Sequence, residues 1–242
     1  MSEPNGKQSV KIGEDETRQP KASPPPIRRY RTILFSILLI SAIGTFAFLT
    51  FLVETVPSFP IDLRITQAIQ SIDFPLFDWL MRLISWPGFS PQSIIISVFI
   101  GFLFFVSGLR WESVTSLLAA LVSGVTNEFV KGLLQRPRPS IDLVDVFQVL
   151  TSYSFPSGHV MFYTTVFGFV WYVTYTLLKR SVMRSLLLIL LGIFILLVGI
   201  SRIYLGQHWA SDVLGAYLLG GFLLGGIILG YEWGKQRLFI HR

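Results

Sequence analysis

Long apolar runs separated by short polar stretches dominate the chain from residue 32 onward. Residues 32–53 contain no charged side chain, and a helix of this length, rising 1.5 Å per residue, crosses a hydrocarbon core of about 30 Å. Five further runs are uncharged or nearly so, at residues 88–109, 113–127, 160–178, 185–201 and 213–231. The pattern predicts an all-α integral membrane protein built as a six-helix bundle over residues 32–242.

Two segments depart from this pattern. Residues 1–31 are polar, mixed in charge and interrupted by proline, which is typical of a disordered tail, and the first apolar run begins too late for a cleaved signal peptide. Residues 54–87 mix charged side chains with spaced apolar ones. They predict one or two amphipathic helices at the membrane interface, with Trp79 and Trp86 at headgroup depth, and a solvated loop is the alternative.

The composition supports a membrane protein. Of 242 residues, 52% are hydrophobic and 14% are charged, whereas a soluble domain is about one quarter charged. These values exclude a disordered protein, a basic DNA-coating domain and an ordinary cytosolic enzyme. The chain has no cysteine, which excludes disulfides, a thiolate nucleophile and a cysteine-bound metal.

The net charge of +6 is interpreted through the location of the cations, and we expect no nucleic-acid partner. Six spans place both termini on one side, and ten cations flank that side: Arg28, Arg29, Arg31, Arg110, Lys179, Arg180, Arg184, Lys235, Arg237 and Arg242. The opposite side receives Arg64, Arg82, Lys131, Arg136, Arg138 and Arg202. The positive-inside rule therefore predicts a multi-pass protein of the cell membrane with both termini in the cytoplasm.

Three segments carry candidate chemistry. They are Lys131 with Arg138-Pro139, the run Pro156-Ser157-Gly158-His159, and Ser201-Arg202 followed by His208 and Asp212. The fourth and fifth spans form a hairpin between the second and third segments, so all three lie at one membrane face. The predicted orientation makes this face extracytoplasmic.

The residue types in these segments suit an anion. Lys131, Arg138 and Arg202 carry donors that match phosphate oxygens, and the backbone N–H groups of Ser157 and Gly158 are free at the start of a helix. Each feature also has a structural explanation. The cations can sit at the membrane interface without a ligand, and Ser157 can be an ordinary helix N-cap.

The histidines suggest phosphoryl transfer. The i, i+4 spacing of His208 and Asp212 predicts one helical face, on which the carboxylate accepts a hydrogen bond from one ring nitrogen and leaves the other as a nucleophile. His159 is then available for proton transfer. His159, His208 and Asp212 could instead ligate zinc, but the three cations oppose a divalent metal and only Asp142 and Asp145 are spare carboxylates. We therefore expect no metal and no cofactor.

These blocks resemble the three-part signature of the type 2 phosphatidic acid phosphatase superfamily, Lys-x6-Arg-Pro, Pro-Ser-Gly-His and Ser-Arg-x5-His-x3-Asp. The resemblance implies a metal-independent phosphatase. By carry-over, His208 would form a phosphohistidine, Asp212 would orient and stabilise it, and His159 would protonate the leaving group. Lys131, Arg138, Arg202, Ser157 and Gly158 would hold the phosphoryl oxygens.

The partners expected are membrane lipids and a lipid phosphate substrate. The resemblance leaves phosphatidic acid, phosphatidylglycerol phosphate and undecaprenyl pyrophosphate open as substrates, and the oligomeric state is not predicted. A membrane protein that binds or moves an anionic lipid without catalysis is the alternative from another class. A channel or transporter is disfavoured because the ionisable residues cluster at one face and hardly line the spans.

Overall fold

The computed structural model of the protein describes residues 26–56 and 59–239. Residues up to Ile40 and residues from Ser41 onward form two units, and the cavity and the side-chain contacts described below belong to the second. The described helices are α1 (Pro26–Thr55), α2 (Pro60–Gln70), α3 (Pro75–Ser85), α4 (Gln92–Val106), α5 (Arg110–Leu134), α6 (Gly158–Phe162), α7 (Gly168–Leu177), α8 (Val182–Tyr204) and α9 (Ala210–Phe239). No strand occurs within the described ranges, so the predicted all-α class is confirmed.

Four helical stretches are long and apolar enough to cross a membrane. They are α5, the continuous stretch Gly158–Leu177, α8, and Ala210–Arg237 within α9. Counting each bent helix pair as one span adds two more, namely Ile40–Thr55 with α2, bent by 98°, and Pro75–Gly88 with α4, bent by 64°. The part of the chain that the structure describes thus holds four to six spans, in agreement with the predicted six-helix bundle.

The two polar segments differ in how much of them is visible. Residues 1–25 of the predicted tail lie outside the described residues, and α1 already begins at Pro26, a favourable first helical residue. Residues 54–87 contain the helices α2 and α3 rather than a plain loop. On α3, Met81 and Ile84 are buried, while Trp79 on the same helix and Trp86 just after it are exposed. The position of these tryptophans at headgroup depth stays a prediction.

A buried stem runs through the centre of the second unit. It consists of α6, a π-helical turn (Tyr163–Phe167) and α7, and all five residues of the turn are buried. The Tyr163 hydroxyl donates to the Ile84 carbonyl at 2.5 Å, and the Ser201 hydroxyl of α8 donates to the Met81 carbonyl at 2.6 Å. Helix α3 is therefore fastened to both the stem and α8, which gives residues near the start of the stem a rigid support.

A polar cluster joins the opposite ends of α5 and α9. The Tyr231 hydroxyl donates to Glu112 Oε1 at 2.7 Å, and Lys235 Nζ donates to Glu112 Oε1 at 3.3 Å and to the Tyr231 oxygen at 2.7 Å. Glu112 is 4% exposed, so its charge needs these partners. The cluster fixes the first turn of α5 against the last part of α9.

The short connection between α8 and α9 turns sharply at Gly206. This residue has φ +64°, and a Cβ on it would lie 2.0 Å from the Asp145 carbonyl oxygen. Gln70 Nε2 donates to the same carbonyl at 2.7 Å and to the Tyr204 carbonyl at 2.8 Å. Two loops and α2 are thereby held together two residues before His208.

We predict that Gly206→Ala lowers the thermal stability of the detergent-solubilised protein more than Gly108→Ala does. Both positions have positive φ, but the structure shows nothing within 4 Å of a Cβ at Gly108. The left-handed conformation alone costs an L-residue about 1–2 kcal/mol, and at Gly206 the Asp145 backbone must also move. Equal losses in the two variants, measured by thermal unfolding, would contradict the close approach.

Candidate active site

A cavity of about 810 Å³ opens among α4, α5, α6 and the loops at one end of the bundle. Six of the eight residues predicted from the sequence line it, namely Lys131, Arg138, Gly158, His159, Arg202 and His208. Ser157 and Asp212 do not line the cavity and are fully buried. The structure thus brings residues from all three sequence segments to one place.

The relation between His208 and Asp212 differs from the prediction. Helix α9 begins at Ala210, so His208 lies in the preceding loop and the two residues do not share a helical face. The distance from His208 Nδ1 to Asp212 Oδ2 is 3.6 Å, which is too long for a hydrogen bond. The predicted helical pair is therefore wrong, and the turn that starts α9, in which Asp212 Oδ2 accepts from Trp209 N at 2.8 Å, brings the two side chains near each other.

Arg138 determines which nitrogen of His208 is free of a proton. Arg138 Nη1 lies 3.1 Å from His208 Nε2, and because a guanidinium only donates, Nε2 accepts and the ring proton is on Nδ1, towards Asp212. Burial, reinforced by Arg138, Arg202 and Lys131, lowers the pKa of His208 well below its ordinary value of 6.5. The imidazole is therefore neutral at pH 7 and has a lone pair on Nε2.

Proline positions the Arg138 guanidinium. Helix α5 ends at Leu134, Gln135 has φ 46°, and the prolines at 137 and 139 prevent the helix from continuing. Arg138 Nε then donates to the Ser152 carbonyl at 2.7 Å and Nη1 to the Gln207 carbonyl at 2.6 Å. These bonds hold the guanidinium beside His208 before any ligand binds.

Arg202 and Lys131 offer donors to the cavity. Arg202 is fully buried, its Nη1 donates to Ser85 Oγ, and its Nε and Nη2 have no hydrogen-bond partner among the described residues. Lys131 is 7% exposed, and its Nζ lies 3.4 Å from Glu128 Oε1. Buried donors without acceptors are costly, so an anion in the cavity would satisfy them.

The start of α6 places the second histidine. Ser157 is the N-cap residue, and its hydroxyl makes no cap hydrogen bond and has no partner within the described part of the chain. Asn127 Nδ2 of α5 donates to the Pro156 carbonyl at 3.0 Å. The His159 ring packs edge-on against Phe89 with centroids 4.6 Å apart, and its Nε2 has no partner in the same set of residues.

Asp212 is held by residues that the sequence did not single out. Its Oδ1 accepts from Arg136 Nη1 at 2.5 Å and its Oδ2 from Ser154 Oγ at 2.5 Å. Gly88, Phe89 and Asn127, which line the cavity, were missed as well. Of these residues, only Arg136 could have been found from the sequence, because Arg136-Pro137 is the same dipeptide as Arg138-Pro139.

The residues that the structure describes contain no set of side chains that could ligate a metal ion. Across residues 26–56 and 59–239, no three His, Asp or Glu side chains are close enough to hold one ion. The carboxylate of Asp212 is engaged by Arg136 and Ser154, and the cations at the cavity are suited to an anion.

Comparison with known proteins identifies the family. Residues 112–236 match the PAP2 superfamily, a range that covers all three segments. The chain belongs to this superfamily. The predicted family is thereby confirmed, and with it the prediction of a hydrolase that acts on lipid phosphates in a multi-pass membrane protein.

Individual PAP2 relatives and structures resemble the chain over different lengths. A phosphatidylglycerophosphatase B of Bacillus subtilis is 31% identical over 188 residues, which are 76% of this chain and 85% of the relative. A protein of the same name from Haemophilus influenzae is 40% identical over 76 residues, 31% of this chain and 32% of the relative.

Two crystal structures have the PAP2 fold seen here. The transmembrane PAP2-type phosphatidylglycerolphosphate phosphatase of Bacillus subtilis has TM-score 0.71 and 28% identity, covering 82% of this chain and 98% of that one. LpxE of Aquifex aeolicus has TM-score 0.51 and 21% identity, covering 72% and 98%, and shows similarity of fold alone.

We predict that Gly88→Ala lowers turnover by roughly a hundredfold, because misplacing a reacting group by about 1 Å has an effect of that size. A Cβ on Gly88 would lie 2.3 Å from His159 Cδ2, so the imidazole must move. Gly124→Ala is the control, since Gly124 also lines the cavity and its Cβ would meet nothing within 4 Å. Phosphate release would be measured for both, and equal activities would show that the His159 position does not matter.

Proposed function

We propose that the protein releases phosphate from a lipid phosphate through a phosphohistidine on His208. The observation that carries the proposal is the contact of His208 Nε2 with Arg138 at 3.1 Å, inside a cavity that also holds His159 and unpartnered donors of Arg202. A neutral imidazole is a competent nucleophile towards phosphorus, and the Nε2 lone pair becomes available when Arg138 Nη1 turns from it to a phosphoryl oxygen.

The proposed reaction has two steps. In the first, His208 Nε2 forms a bond to phosphorus, the bond from phosphorus to the lipid oxygen breaks, and His159 gives its proton to that oxygen. In the second, water loses a proton to His159 as it attacks phosphorus, the N–P bond breaks, and inorganic phosphate leaves. Both steps use the same two histidines, and no metal is required.

Asp212 and the cations would supply electrostatic stabilisation. The ring of a phosphorylated histidine keeps its proton on Nδ1, 3.6 Å from Asp212 Oδ2, so the carboxylate favours the intermediate. Lys131, Arg138 and Arg202 would hold the phosphoryl oxygens, on which charge develops in the transition state. The backbone N–H group of Gly158 at the start of α6 would add a dipole of the same sign. The Ser157 N–H, which the sequence predicted to be free, instead donates to the Asp212 carbonyl at 3.4 Å.

The shape of the cavity supports a substrate with an apolar chain. On the α5 side its wall reaches from Lys131 to Leu117, about 20 Å along a helix. The facing wall comes from α4 and includes Ile94 and Val98, both exposed on the outside of the bundle. A lipid could keep its tail between α4 and α5 while its phosphate reaches the histidines.

The first substrate to test is phosphatidylglycerol phosphate. Two relatives are named phosphatidylglycerophosphatase B, and the similar Bacillus subtilis structure is of a phosphatidylglycerolphosphate phosphatase. Phosphatidic acid and undecaprenyl pyrophosphate share the phosphate chemistry, and glycerol 3-phosphate lacks the tail. Rates for these four compounds in mixed micelles distinguish the substrate classes.

We predict that His208→Ala lowers phosphate release at least about a thousandfold, the scale expected for loss of a nucleophile. Excess chelator should leave the wild-type rate unchanged, because no metal takes part. When the reaction with a substrate labelled in its phosphate is quenched rapidly without acid, the label should be found on the wild-type protein and not on the His208→Ala protein.

Two outcomes would contradict the proposed reaction. Labelled phosphate on the His208→Ala protein would exclude this residue as the nucleophile, and loss of activity with chelator would exclude the metal-free reaction. His241→Ala provides the histidine control, since this residue follows the last described helix and lies outside the proposed reaction.

We further propose that the site faces away from the cytoplasm, as the distribution of cations along the sequence indicates. The chain has no cysteine, so single introduced thiols can be labelled without background. We predict that an impermeant thiol reagent labels Ser140→Cys in intact cells and labels Ser181→Cys only after lysis. Both serines are exposed, and the reverse pattern would invert the orientation.

A further inference from the structure

A buried ion network lies behind the cavity, on the side of Asp212 away from His208. Arg136 donates through Nη1 to Asp212 Oδ1 at 2.5 Å and through Nη2 to Asp62 Oδ2 at 2.8 Å. Asp62 is on α2, and its two oxygens also accept from Ser211 N at 2.9 Å and Ser211 Oγ at 2.6 Å. Asp62 and Arg136 are 1% exposed and Asp212 is fully buried.

Burying these charges costs desolvation free energy, so the network needs an explanation other than stability. An apolar substitute for a buried ion pair is often as stable or more stable, so the pair itself is weak evidence of a stabilising role. Neither Asp62 nor Arg136 lines the cavity, so neither would touch the substrate. The bond to Asp212 connects Arg136 to the site, and Asp62 is connected through Arg136.

From these contacts we infer that Arg136 and Asp62 are positioning residues that set the direction and the effective charge of Asp212 towards His208. Arg136 binds Oδ1 and leaves Oδ2 turned towards His208 Nδ1, 3.6 Å away. Asp62 offsets the charge of Arg136, so that the negative charge of Asp212 remains effective at the imidazole. This inference rests on the proposed role of His208 as the nucleophile.

The balance of charge explains why two residues are needed. Arg136 alone would cancel most of the field of Asp212, whereas Asp62 and Arg136 together add no net charge. The titratable and charged groups around His208 and in this network are Lys131 and Glu128 on α5, Arg136 and Arg138 in the following loop, His159 on α6, Arg202 on α8, Asp212 on α9 and Asp62 on α2. Changing Asp62 alters the total by one unit without altering any group at the cavity.

The test uses the acid limb of the pH profile of kcat/KM, which reports protonation of the free nucleophile. Asp62→Asn leaves the charge of Arg136 unbalanced, which disfavours the protonated imidazole of His208, so the limb should move to lower pH by roughly half a unit or more. Turnover should fall about tenfold, because the intermediate loses part of its counter-charge. Inhibition by inorganic phosphate should change less than about threefold, since the cavity is intact.

A second substitution provides the decisive control. Asp62→Asn combined with Arg136→Gln restores the net charge of the network, so the acid limb should return to its wild-type position, which structural damage would not produce. Asp78→Asn removes the carboxylate of an exposed pair with Arg82 and should leave the profile unchanged. An acid limb that stays fixed in Asp62→Asn, or that fails to return in the double variant, would overturn the inference.

The remaining arm tests position without changing charge. Arg136→Lys keeps the charge but cannot bridge two carboxylates with one planar fork, so turnover should fall about tenfold while the acid limb stays in place. Wild-type turnover in this variant would also overturn the inference. If Asp62→Asn does not give a monodisperse protein, the Arg136→Lys measurement is the deciding one. Failure of the proposed function has a different signature, an active His208→Ala variant.

Discussion

Burial of positive charge around a single cavity is the constraint on which the site depends. Like charges repel strongly where water is scarce, so each cation has a polar partner nearby. Arg202 bonds to Ser85, Arg138 bonds to two backbone carbonyls, and Lys131 lies beside Glu128. The donors left over after these bonds are fixed in place before a ligand arrives. A phosphate that enters meets a prepared set of donors and pays little reorganisation.

The negative charge in the same region is equally organised. Asp212 is the only carboxylate within 4 Å of a His208 ring nitrogen in the described residues, and three groups from three parts of the chain bond to it. Ser154 and Trp209 bond to one oxygen and Arg136 bonds to the other. Because Arg136 also reaches Asp62 on α2, the carboxylate beside His208 is connected to a helix that contributes nothing to the cavity wall. The amphipathic segment is thus part of the functional unit and not merely a connection between spans.

The bundle supports two requirements that usually conflict. The stem is buried from Val160 to Phe169 and supports His159 at its start, while α4 and α5 leave an elongated opening between them. Rigidity comes from hydrogen bonds between helices, such as those from Tyr163 and Ser201 to carbonyls of α3. Access comes from the apolar wall at Ile94 and Val98. A lipid phosphatase needs both rigidity and access, because the substrate's phosphate must be held while the substrate's tail stays in the membrane.

The sequence alone determined the class, the approximate spans and part of the cavity lining. Apolar run length and motif order depend on neighbours along the chain, and they were sufficient to find His159, His208, Arg138 and Arg202. The tertiary structure decided how His208 meets Asp212, since the start of α9 two residues after His208 replaces the helical pairing that the spacing suggested. It also decided the partners of Arg136, one of which, Asp62, lies far away in sequence. Contacts between distant segments depend on how helices pack, and no local pattern encodes them.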